Sequence, residues 1–177
     1  MNKLILIFAA ALVISCGNNN KKEESSDMQI GTKVEDNSTV NTDATTDTND
    51  NDVAVVNITA NDQMRYSTEE IRVKAGQKVK LTLKHVGTMD KKVMGHDWVL
   101  LKKDADMAKI GEVTAQETDH DKFPDSIKDK VIAHTKMLGG GESDTIEFDA
   151  PTEPGTYTYM CTFPGHYGTM HGKFIVE

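Results

Sequence analysis

Three observations in this chain of 177 residues predict an all-β fold, an antiparallel β-sandwich over residues 53–177. Short runs alternate apolar and polar residues with period two, as in Lys78-Val79-Lys80-Leu81-Thr82-Leu83-Lys84, Asp144-Thr145-Ile146-Glu147-Phe148 and Thr156-Tyr157-Thr158-Tyr159. That period gives a strand one buried and one wet face. Turn residues separate the runs at Ala75-Gly76, Gly139-Gly140-Gly141 and Glu153-Pro154-Gly155. Seven or eight such strands fit in the 125 residues, enough chain for two sheets around one core.

The elements follow in chain order. Residues 1–15 read as a lipoprotein signal peptide: Lys3 is the positive end, and Leu4 to Ile14 is an apolar run too short to span a bilayer. It ends in Leu12-Val13-Ile14-Ser15-Cys16, which resembles a bacterial lipobox, so cleavage before Cys16 and lipid on its thiol are expected. Two or three acyl chains anchor firmly where a single chain is marginal. Residues 16–52 therefore carry the lipid-attachment cysteine and a tether of Asn, Asp, Thr, Ser, Lys and Glu, too poor in apolar residues to order itself. As a flexible coil its 36 residues after Cys16 span roughly 30–36 Å. Lys21-Lys22-Glu23-Glu24 is similar to signals that send some lipoproteins to the outer surface. The expected location is the cell envelope, facing the periplasm or the outside.

Strand candidates begin at Val53–Ile58 and continue at Ile71–Val73, Trp98–Leu101 and Phe174–Val176. One segment breaks the pattern. Lys103 to Lys130 is charged, with Ala105, Met107, Ala108 and Ile110 at helical spacing, and reads as a small helical flap outside the sandwich. Nothing in it suggests chemistry, and His120 reads as solvated.

Charge bounds the partners. The net charge is −8, and removing the leader takes away Lys3 alone, which leaves −9. Such a chain is no partner for nucleic acid.

The chemistry lies in Met160-Cys161-Thr162-Phe163-Pro164-Gly165-His166-Tyr167-Gly168-Thr169-Met170. A thiolate, an imidazole and a thioether at Cys-x4-His-x3-Met suit copper, whereas hard cations want oxygen. The pattern lacks a second histidine, for which His96 in Val93-Met94-Gly95-His96-Asp97-Trp98 is the best candidate. Two His, one Cys and a distal Met form the donor set of an electron-transfer copper site. Phe163 is expected to pack near the metal and Trp98 to be core. Two rivals use the same residues: a cysteine nucleophile with His166 as base, and zinc, which seldom takes a thioether.

These segments, with Asn61-Asp62-Gln63-Met64 and Val131-Ile132-Ala133-His134-Thr135-Lys136, resemble the azurin family of small blue copper proteins over all of residues 53–177. The resemblance implies a Greek-key, cupredoxin-like sandwich holding one type 1 copper ion. It implies metal contacts from His96, Cys161, His166 and Met170, with the Gly95 carbonyl as a long axial neighbour. Asp97 stands where the family has an asparagine that ties the ligand loops together, and His85 where it has a partly buried histidine. The family's docking patch maps onto Met64, Met89, Val93, Met94, Pro164 and Gly165, around the edge of His166.

The implied function is one-electron shuttling between redox proteins such as cytochromes or copper enzymes, with no catalysis and no small-molecule substrate. A copper storage or delivery protein shares the ligands and differs in releasing the ion readily. The family's disulfide is not carried over, since the chain's two cysteines, Cys16 and Cys161, are both otherwise assigned.

Overall fold

The computed structural model describes residues 53–177 and the backbone of one further strand, Asp47–Asn49. The leader, Cys16 and the rest of the tether lie outside the described residues.

Two five-stranded sheets face each other. In the first, β1 (Asp47–Asn49), β2 (Val53–Asn61), β5 (Lys78–His85) and β8 (Ser143–Asp149) lie side by side, with β3 (Arg65–Tyr66) on the end of β2. The second has the order β4 (Glu70–Val73), β10 (His171–Val176), β9 (Gly155–Met160), β6 (Val99–Leu101), β7 (Val131–His134). Ten strands thus stand where the sequence suggests seven or eight. Beyond the seven runs named above, the additions are short: β3 has two residues, β7 has four, and β1 falls within the segment read as tether.

Period-two patterning survives in three dimensions. Along β5, Val79, Leu81, Leu83 and His85 are buried while Lys78, Lys80 and Lys84 are exposed. The inward residues of both sheets form one core that includes Val56, Ile58, Leu81, Leu83, Tyr159 and Phe174. Trp98 sits at its centre at 0% exposure, 5.6 Å from the Tyr159 ring and 5.9 Å from Phe148. Two pairings, β2 with β5 and β4 with β10, are parallel. Between β2 and β5 the chain crosses to β4 in the other sheet and returns in its original direction, a crossover and not a hairpin.

Among the described residues, three short helices stand apart from the sheets. Asp90 caps α1 (Lys91–Met94) by accepting from the Lys92 N–H, and Asp106 caps α2 (Met107–Thr114) through the N–H groups of Ala108 and Lys109. With α3 (Asp125–Lys128), α2 forms the expected flap. The flap builds a second cluster, in which Ile110 and Ile127 pack with Val99, Leu101 and Met160 of the second sheet.

Candidate metal centre

Three segments converge at one end of the sandwich. Cys161 follows β9 directly and is 0% exposed, a member of the main core. A turn then brings the chain back. The His166 N–H donates to the Phe163 carbonyl at 3.0 Å, with Pro164 and Gly165 between them and Gly165 at φ 82°. This is a type II turn, in which proline presets the first corner and glycine supplies the positive φ of the second. The loop closes where the Cys161 N–H donates to the Met170 carbonyl at 2.9 Å.

His96 arrives from between α1 and β6. Its backbone N–H and carbonyl both pair with Leu138, at 3.0 and 2.8 Å, so it is fixed to the loop after β7. Its Nε2–H donates to the Asn61 carbonyl at 2.9 Å, which leaves the Nδ1 lone pair free and aimed at the sulfur. The Cys161 Sγ lies 3.9 Å from His96 Nδ1 and 3.7 Å from His166 Nδ1. Among the described residues these three side chains form a metal-ligand cluster, all buried.

The spacing fits a metal ion. Sulfur and nitrogen ligands about 2.0–2.3 Å from a common centre, held 120° apart, lie about 3.5–3.8 Å from each other. Protonation states agree. Burial lowers the pKa of His96 to about 4, helped by His85, and burial lowers that of His166 to about 4. Both imidazoles are therefore neutral and able to ligate at pH 7. Burial pushes the Cys161 thiol well up, so a bound cation is what would make it a thiolate.

The other predicted residues are gathered here as well. The Gly95 carbonyl lies 3.9 Å from the sulfur. A Cβ on Gly95 would meet the Lys91 carbonyl at 2.6 Å, the Phe163 ring at 2.8 Å and Met137 Sδ at 2.9 Å, so only glycine fits. Met170 is 0% exposed in the same core. Phe163 packs on His166 with ring centroids 4.6 Å apart.

Asp97 is 1% exposed and accepts from the Thr162 N–H at 2.7 Å and from the Thr162 hydroxyl. The His96 and Cys161 segments are thus tied by a carboxylate. Burial raises its pKa to about 6 against those two hydrogen bonds, so it is mostly ionised at pH 7. His85 is fully buried, stacked 4.5 Å from His96, with its Nε2 at 2.9 Å from the Met94 carbonyl and the Gly87 N–H on its Nδ1. His134 and His171 are exposed. His120 is not simply solvated: it is half-buried, 5.7 Å from the Phe163 ring.

Sequence reasoning assigned no role to Asn61, Thr162 or Tyr66. Asn61 acts through its carbonyl and Thr162 in part through its N–H, groups that every residue carries and that leave no side-chain signal. Tyr66, whose hydroxyl donates to the Asp97 carbonyl, reads in sequence as an ordinary strand aromatic.

Residues 53–177 match the model of the copper-binding proteins of the plastocyanin/azurin family. The chain is 40% identical to azurin of Pseudomonas chlororaphis over 128 residues, covering 69% of this chain and 97% of that one. It is 42% identical to outer membrane protein H.8 of Neisseria gonorrhoeae over 119 residues, covering 66% of this chain. In that comparison the chain spans only 63% of the relative's length. Among solved structures, an azurin from Methylomonas sp. strain J aligns with TM-score 0.61 and 34% identity, over 70% of this chain and 97% of that one. Auracyanin A, a "blue" copper protein from Chloroflexus aurantiacus, aligns with TM-score 0.62 and 29% identity, over 71% and 99%.

Proposed function

From the premise that the chain belongs to the plastocyanin/azurin family of copper-binding proteins, we propose that its folded domain carries single electrons between redox proteins. His96, Cys161 and His166 would hold the ion, with Met170 and the Gly95 carbonyl beside it. When bound, copper supplies the one-electron Cu(I)/Cu(II) couple. The observation that most supports this reading is the buried trio, already spaced for a metal by backbone bonds that do not involve the metal.

The residues' part is to hold still. His96 is fixed by Asn61 and Leu138, and His166 by its turn, so little has to rearrange when the charge at the centre changes. The packed core around the sulfur would keep water from a bound ion. The direct test is the absorption spectrum of oxidised, copper-loaded protein. An intense thiolate-to-copper band in the visible is expected, and a colourless product would overturn the reading.

The Asp97 carboxylate should tune the couple, because its negative charge favours Cu(II). Asp97→Asn keeps an acceptor for the Thr162 N–H while removing that charge. A buried unit charge beside a metal is worth on the order of 1–4 kcal/mol at an effective dielectric near 20, so a one-electron midpoint is expected to rise by roughly 40–170 millivolts. An unchanged or lower midpoint in voltammetry would refute it.

Electrons would enter and leave near His166, which is 4% exposed. Met89 and Val93 are 42% and 64% exposed, and Gly165 is also exposed; Met64, Met94 and Pro164 are half-buried. Val86, at 51%, is a further exposed apolar residue, which the sequence reading did not include.

Anchoring is a separate part of the proposal. No helix among the described residues is long and apolar enough to cross a membrane, and we assign attachment to lipid on Cys16, within the cell envelope. Cys16→Ser should move the protein into the soluble fraction with its copper site intact. Association that survives washing of the membranes would argue against a lipid anchor.

A further inference from the structure

The flap reaches the metal centre at several points, although its sequence carries no chemistry. Gly111 lies in the interior of α2, where glycine is less favourable than alanine. A Cβ there would stand 2.6 Å from Cε1 and 2.7 Å from Cγ of Tyr167. Tyr167 is the residue after His166, and its ring packs into the second apolar cluster with Ile110, Ile127 and Met160. Nearby, the buried Thr114 hydroxyl lies 3.2 Å from the Thr162 carbonyl, beside Cys161, and shares its proton with the Ile110 and Gly111 carbonyls. The flap's Asp121 accepts from the Met137 N–H at 2.8 Å and pairs with Lys91 at 3.0 Å, in the helix that leads to Gly95 and His96. One insertion thus touches the segments bearing all three ligands.

We propose that the flap is a clamp on the ligand loop, and that Gly111 and Tyr167 are positioning residues that hold His166 in place and so slow the escape of the metal. The main core grips the loop at its ends, Cys161 and Met170, and at Phe163. Phe163-Pro164-Gly165-His166 projects beyond β9, and between Cys161 and Met170 it is the Tyr167 ring that packs into the second cluster, built on the outer side of that strand. Through a bare glycine backbone the helix comes close enough to seat the ring. This inference rests on the copper reading above.

The test compares the copper-loaded parent protein with Gly111→Ala. Two quantities are read: the rate at which excess EDTA bleaches the visible band, and the melting temperature of the metal-free domain. Displacing an outer partner of a metal ligand typically weakens the site by 10–100-fold, so bleaching about tenfold faster is expected, and a change below about threefold would overturn the clamp. If Gly111 were only a helix residue, alanine would raise the metal-free melting temperature and leave bleaching unchanged.

A second pair keeps the test decisive should Gly111→Ala not fold. Tyr167→Ala alone should bleach as fast, and adding Gly111→Ala to it should raise the metal-free melting temperature without further speeding release. Tyr167→Ala with the parent rate would again overturn the clamp. A parent protein with no visible band would sink the copper reading, whereas a coloured parent with indifferent variants sinks the clamp alone.

Discussion

Cys161→Ser is expected to abolish the visible band and the one-electron couple together, while the two sheets persist. The sulfur is the only thiolate donor within reach of His96 and His166 among the described residues, and a serine hydroxyl is a hard, reluctantly ionised substitute. Structural damage is small but not zero, because Cys161 belongs to the main core and is fully buried. A buried hydroxyl without a good partner costs about 1–3 kcal/mol. The nearest acceptors, His166 Nδ1 at 3.7 Å and the Gly95 carbonyl and His96 Nδ1 at 3.9 Å, lie beyond good hydrogen-bond distance from the sulfur position. Circular dichroism should therefore show a folded domain with a modestly lowered melting temperature. A variant that kept an intense visible copper band would show that Cys161 is not the ligand.

The second large effect concerns the surface. Val93→Lys should slow electron self-exchange by about tenfold, equivalent to roughly 1.4 kcal/mol in the barrier, with an unchanged visible spectrum. Val93 is the better position for this test than its neighbour Met94. Met94 is half-buried, and its carbonyl lies 2.9 Å from His85 Nε2, so a charge there would disturb the His96 segment itself. Val93 is 64% exposed on α1, next to Lys91 and Lys92, and a third lysine would meet its like on a second copy. Redox encounters bury little area, so one desolvated charge is not diluted by other contacts. Normal colour with a normal exchange rate would place the docking face elsewhere.

The chain's departures from its family bear on the same site. Asp97 shows how an acidic residue can stand where asparagine is expected. The carboxylate only accepts, and what it faces is the donor pair of Thr162, so the tie between the ligand segments remains. The missing disulfide is a different matter. The described structure adds the strand Asp47–Asn49, paired with Val53–Val55, ahead of the domain's first long strand.

What the sequence determined by itself was whatever local chemistry and periodicity encode. The inward face of β5 follows from alternation in Lys78–His85, and the turn at Pro164-Gly165 from the φ values those two residues supply. Cys161 and His166, two members of the buried cluster, stand out by their softness at short spacing. The choice of His96 was also legible, through its motif.

Tertiary structure alone decided what depends on contacts between distant backbones. The parallel pairings of β2 with β5 and β4 with β10 come from strands crossing between sheets, which no run of residues reveals. The tautomer of His96 is set by the Asn61 carbonyl, 35 residues away, and the full burial of His85 by packing around it. The flap is the clearest case. Its sequence reads as a charged, irregular insertion around one helix, because a glycine in that helix carries no sign of the ring it seats. Only the fold brings Gly111 against Tyr167 and His120 beside Phe163, since packing selects for shape where the sequence displays only composition.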